Sequence, residues 1–157
     1  METVSSSEKV ARILNPEWIE DGILMHEAFM LRDGETYISV NRPSVDSYDK
    51  DVTDFVNKHP DYAFDTKKYK RALLGVGEIR DINVAFDEVE AKIDVEVEPR
   101  DAHYKSHAGI FTRLDHKNLK RGQLIDVQAE ENVSADSILL EVRMNLLDIS
   151  TVEQCEI

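Results

Sequence analysis

Residues 92–98 alternate strictly: Ile93, Val95 and Val97 stand against Lys92, Asp94, Glu96 and Glu98. A period of two puts the three aliphatic side chains on one side of an extended backbone, whereas a helix would spread them around its circumference. A chain carrying this run must build a sheet with at least one dry face. Pro99 ends the run because it has no amide hydrogen to donate. Residues 100–109 then read Arg-Asp-Ala-His-Tyr-Lys-Ser-His-Ala-Gly, which sets two of the five histidines, His103 and His107, four positions apart.

The other elements follow from the same period argument. Residues 28–32 and 35–41 flank Asp33-Gly34, the pair that a two-residue type I′ turn favours, and predict a first hairpin closed by Pro43. Residues 84–86 and 92–98, joined by the acidic segment 87–90, predict a second. Asn15-Pro16-Glu17 has an N-cap, a first-turn proline and a first-turn acid, and predicts a short helix that Asp21-Gly22 stops. Tyr48, Val52, Phe55 and Val56 form one helical stripe over residues 47–58, which His59-Pro60 closes. Residues 62–69 read as loop, 72–76 as a buried strand, 78–82 as a helical turn, 116–122 as a basic turn and 124–127 as a strand. Residues 135–149 satisfy both periods, and their length and leucine content favour a helix. The expected fold is α+β: a mainly antiparallel sheet built from hairpins, with one or two helices packed on it.

A sheet of this kind needs a core, and 157 residues suffice for one without covalent staples. The expected organisation is a disordered segment over residues 1–8, one domain over 9–150 and a C-terminal tail over 151–157. The single Cys155 has no intrachain partner, no apolar run has membrane-spanning length, and the N-terminus lacks an apolar leader, so the expected compartment is the cytoplasm. A net charge of −13 argues against general nucleic-acid binding and against an anionic membrane surface. Residues 81–98 hold seven acids against one lysine, while residues 100–121 hold six basic residues against two aspartates. Such neighbouring blocks suit either solvated strand faces or a patterned partner surface.

The candidate chemistry is concentrated in residues 100–107. If they are helical, with Gly109 as the stop, His103 and His107 share a face and can share a metal; extended, they lie about 13 Å apart, too far for one ion. Neither a cysteine cluster nor His-Glu-x-x-His supplies further ligands, so no metal and no cofactor is expected. As catalysis, His107 or His103 would act as general base, Tyr104 as proton donor, and Lys105 or Arg100 would steady an anionic group. Ser106 lacks the nucleophile-elbow glycines, and Gly75 and Gly77 lack the third glycine of a dinucleotide fingerprint. A second cluster, Ser39, Asn41 and Arg42, closes the first hairpin with an arginine fork suited to an anion. The basic run at residues 67–71 reads as a solvated loop edge.

Ala28-Phe29 with the arginine that follows, the strand over residues 35–42, and His107-Ala108-Gly109-Ile110 resemble a scattered group of small uncharacterised bacterial proteins. No activity is attached to that group, and the resemblance carries over no functional residues. It implies that the hairpin and the His-Ala segment belong to one structural unit. The expectation for function is a non-catalytic bacterial factor that binds another protein, of an accessory or immunity type. The alternative is a small enzyme or ligand-binding domain that uses residues 100–107 on an anionic nucleotide or phosphoester.

Overall fold

The computed structural model describes residues 3–65, 67–86, 89–97, 104–126 and 132–157. Twelve strands and three α-helices follow one another among the described residues. They are β1 (Lys9–Ile13), β2 (Ile19–Glu20), β3 (Ile23–Leu24), β4 (Tyr37–Asn41), α1 (Tyr48–Lys58), β5 (Lys68–Gly75), α2 (Val76–Arg80), β6 (Val84–Phe86) and β7 (Val89–Val97). After β8 (His107–Leu114) come β9 (Lys117–Asn118), β10 (Leu124–Asp126), β11 (Asn132–Ser134), α3 (Ala135–Ile149) and β12 (Thr151–Glu156).

The main sheet has eight strands in the order β12-β5-β1-β4-β8-β7-β6, with β9 paired to β8, and every pairing in it is antiparallel. The α+β class and the antiparallel sheet are therefore as the alternation at residues 92–98 requires. Ile93 and Val95 of β7 enter the larger core together with Val10, Val40, Leu74 and Ile110 of neighbouring strands. α3 lies over that core with Ile138, Val142 and Leu146, one turn apart and buried. Burying each of these side chains is worth about 1.5–3 kcal/mol. The helical reading of residues 135–149 holds because this stripe finds an apolar sheet face, and Ser134 caps it by accepting from the Asp136 amide.

The opposite face carries a smaller core of Ala11, Ile13, Tyr48, Val52, Val56 and Tyr69, and α1 lies on it. The α1 boundaries agree with the stripe read from Tyr48 to Val56 and with the stop at His59-Pro60. Pro16–Trp18 is a single 3-10 turn in which the Asn15 side chain accepts from the Glu17 amide, as the cap pattern predicts. The second hairpin also forms, with Val84 opposite Ala91. No helix among the described residues is long and apolar enough to cross a membrane.

Several expectations change. The first hairpin is absent: His26–Phe29 is a 3-10 turn, residues 30–36 form no strand, and β4 pairs along its length with β8 and at Asn41 with β1. Asp33-Gly34 forms a turn in which only Gly34 has positive φ, with the Arg32 carbonyl accepting from the Glu35 amide at 3.1 Å. The left-handed pairs that two-residue hairpins need occur instead at Asp21-Gly22, between β2 and β3, and at Asp115-His116, between β8 and β9. The basic run at residues 67–71 is not a loop; from Lys68 it is the first half of β5.

The expected disordered segment is laid along the sheet from Thr3 onward: Val4 is buried and its amide donates to the Val95 carbonyl at 3.0 Å, while residues 1–2 lie outside the described residues. The expected C-terminal tail is β12, registered with β5 from Thr151 opposite Leu73 to Glu156 opposite Lys68. Both ends are held because the sheet offers them backbone partners.

Candidate ligand-binding cavity

β1 bonds to β5 through five registered pairs but to β4 through Ala11–Asn41 alone. Beyond that pair the two strands splay, and the Arg12 guanidinium fills the wedge. Its Nη1 donates to the Ser39 carbonyl at 2.8 Å and its Nε to the Ala28 carbonyl at 3.0 Å. Its Cζ lies 4.9 Å from the centre of the Trp18 ring.

On the α1 side of this wedge lies a cavity of about 320 Å³. Its floor is the sheet, where Asn41 stands opposite His107 and Ser39 opposite Gly109. A side chain at Gly109 would place its Cβ 2.8 Å from Tyr37 Cδ2 and 3.0 Å from Phe111 Cε2, so only glycine lets these rings lie where they do. Tyr37 in turn meets the His107 ring edge-on, with centroids 6.1 Å apart.

The roof is α1. Asp51, Phe55 and His59 recur at every fourth position, so they line the cavity one above another along the helix axis. Tyr62 extends this wall, 5.0 Å from Phe55 and 5.8 Å from Trp18 by ring centroids, in edge-to-face contacts. Arg32 and Glu35, from the turn before β4, and Tyr104, from the turn before β8, complete the rim.

Asp51 is buried, and one of its oxygens holds the β8 end of the cavity together. Oδ2 accepts from the Ser106 amide at 3.0 Å, from Ser106 Oγ at 2.7 Å and from Ser47 Oγ at 2.9 Å. Asn41 Nδ2 donates to Ser106 Oγ at 3.0 Å, which extends the network to the floor. Helix α1, the turn at residues 104–106 and β4 are thereby tied at one point. Ser106 is fully buried in this role.

The opposite end carries the positive charge. Arg12 forms none of the ion pairs found among the described residues, and the hydrogen bonds to Ala28 and Ser39 use two of its five N–H donors. Burial pulls the Arg12 pKa down to about 10, partly offset by Tyr62 and Glu35 and reinforced by the charge of Arg32. It remains a cation at neutral pH.

The cavity unites Ser39, Asn41, Tyr104 and His107, four of the residues that sequence reasoning singled out in two separate clusters. Lys105 is exposed in the turn and does not line it. Arg42 faces elsewhere: its Nε and Nη2 donate to Glu8 at 3.0 and 2.9 Å, and Ser44 Oγ donates to the same carboxylate, so the expected anion fork is already occupied. Arg100 and His103 lie outside the described residues.

The helical alternative for residues 100–108 fails at its described end, because residues 104–106 form a turn and His107 opens β8. A metal shared through helical spacing thus loses its geometry. Among the described residues, no group of three or more histidine, cysteine or acidic side chains is placed to hold a metal. Arg12, Arg32, Glu35, Asp51, His59 and Tyr62 escaped sequence reading. The one signal available was the four-residue spacing of Asp51, Phe55 and His59, which repeats the helical stripe one position over from Val52 and Val56.

The two charge blocks of the sequence meet inside the fold. β7 and β8 are neighbours, and Arg113 reaches across the Phe111 ring, 4.7 Å from its centroid, to bond both oxygens of Glu96 at 2.6 and 2.7 Å. Arg80 of α2 bonds Asp94 at 2.8 Å. The chain matches no family model, and neither a curated protein nor a solved structure matches it significantly.

Proposed function

We propose that this protein binds a small organic anion, a carboxylate or a phosphoester, in the cavity between α1 and the sheet. The observation that carries the reading is Arg12: a cation set in the cavity wall, outside every ion pair among the described residues, with N–H donors beyond those given to Ala28 and Ser39. Arg32 adds a second guanidinium at the rim, and Phe55 and Tyr62 offer an apolar wall for the body of the ligand. At about 320 Å³ the cavity lies at the small end of the range of small-molecule sites, and its lining is more polar than is usual for them.

This is the anionic-ligand alternative raised by the sequence, moved from residues 100–107 to a constellation in which only Tyr104 and His107 of that segment take part. The role expected first, binding another protein, drew on the acidity, the small size and the lack of a complete catalytic constellation; of the acidic and basic blocks, Glu96 of β7 and Arg113 of β8 pair with each other.

Thermal unfolding in the presence of benzoate and of phenyl phosphate tests the reading. At least one of the two should raise the melting temperature in a saturable way, as any ligand of the folded state does. Arg32→Ala, at an exposed position, should fold normally and weaken that shift. No saturable shift with either anion would overturn the proposal.

A further inference from the structure

The cavity is polar at both ends, and the ends carry opposite charge. Asp51 on α1 and His59, which caps the helix just past Lys58, are eight residues apart, about 12 Å along the axis at 1.5 Å per residue. Asp51 sits with Asn41 and Ser106 at one end, while Arg12, bonded to the Ser39 carbonyl, lies with Tyr62 and His59 at the other. Phe55 stands between them.

Asp51 is set up as an acceptor rather than as a mere structural tie. Three donors converge on Oδ2 and hold the carboxylate in one orientation, while none of the bonds formed by Ser47 and Ser106 uses Oδ1. No cation neutralises it within 4.0 Å in any ion pair among the described residues. The buried Asp51 carboxylate and the half-buried Arg12 guanidinium face one space without pairing, and a ligand bridging them offsets the cost that each carries alone.

Resting on the anion-binding reading, we infer that the ligand is dipolar: an anionic group toward Arg12 and Arg32, a planar body against Phe55 and Tyr62, and a cationic or paired N–H donor group on Asp51. An acid bearing a remote amine has this chemistry, and so does a nucleotide whose base presents adjacent N–H donors. The two sources differ in the atoms that meet Asp51.

Calorimetric titration of the full chain with four probes decides the matter. para-Aminomethylbenzoate is compared with para-toluate, which lacks the amine, and guanosine monophosphate with ribose phosphate, which lacks the base. In one of the two pairs the first member should bind about tenfold more tightly, the size of one charge-assisted hydrogen bond. Asp51→Asn, which keeps an oxygen for Ser47 and Ser106, should remove that advantage and bring the two members of the pair to equal affinity. An advantage in the first pair identifies the amine-bearing acid, and in the second pair the nucleotide. Equal affinities within both pairs, with the simple anions still bound, would overturn the dipolar inference and leave the anion site standing. An advantage that persists in Asp51→Asn would remove Asp51 from the role. Failure of all four probes would end both readings. Should Asp51→Asn not fold, the wild-type comparison within each pair still decides between a dipolar and a simple anionic ligand.

Discussion

One sheet serves two different helices, and its two faces are finished differently. Against α3 the strands present Val10, Val40, Leu74, Val95, Ala108 and Ile110, all nearly or fully buried, and the space between sheet and helix is filled by side chains. Against α1 they present Ala11 and Ile13 on one side but Ser39, Asn41, His107 and Gly109 beside them, and there the space stays open as the cavity. The residues of the two faces alternate along the same strands: Val40 points to the filled side, and Ser39 and Asn41 to the open one. A protein can therefore keep a site on a sheet without weakening the core that supports it, because substitutions on one face leave the other face's packing in place.

The largest test of that division is Leu146→Ala on α3. Leu146 is fully buried, and its truncation should cost about 3 kcal/mol in denaturant unfolding through lost transfer energy and the cavity left behind. Affinity at the α1 face, measured on the folded fraction, should be unchanged. If binding falls with stability, the two faces are coupled and the comparison fails.

Gly109→Ala is the converse. The new Cβ would fall 2.8 Å from the Tyr37 ring and 3.0 Å from Phe111, so one or both rings must shift toward the cavity floor. The expected cost is about 1–2 kcal/mol from overpacking, with a disproportionate loss of ligand affinity. Retained affinity would show that the Tyr37–Phe111 arrangement is not needed for the site.

The smallest expected effect concerns the N-terminal segment that leads into β1. Arg42 holds the Glu8 carboxyl below its ordinary value of 4.5, with burial opposing and Ser44 and the Ser5 amide assisting. A carboxylate with a lowered folded pKa contributes stability that is fully present above its unfolded pKa and disappears as the pH falls through the folded one. Glu8→Gln should therefore cost about 1 kcal/mol at pH 7 and much less at pH 3. An equal cost at both pH values would assign the effect to packing instead of charge.

Legibility from sequence differed between these regions for a physical reason. α1, α3 and the strand at residues 92–98 were readable because a helical stripe or a two-residue alternation is written in consecutive residues, and burial of that stripe is what forms the element. Asn41, Tyr104 and His107 were also visible, as polar groups beside strand breaks. Arg12 was not, since residues 9–13 are too short a run to show a period, and the place of its guanidinium depends on β4 diverging from β1. Asp51 reads as an ordinary first-turn acid of α1, and its three donors come from Ser47, near at hand, and from Ser106, distant by 55 residues.

Local pattern thus decided that the chain makes an antiparallel sheet with amphipathic helices, because the period of the apolar residues is a property of neighbours. Tertiary structure decided which strands lie side by side, and everything about the site followed from that. Placing β4 between β1 and β8 cancelled the expected hairpin, opened the wedge that Arg12 enters, and set Asn41 beside His107. Placing β12 beside β5 turned an expected tail into a strand. Strand adjacency is set by competition among all available edges for backbone partners and apolar cover, and no single segment carries the outcome of that competition.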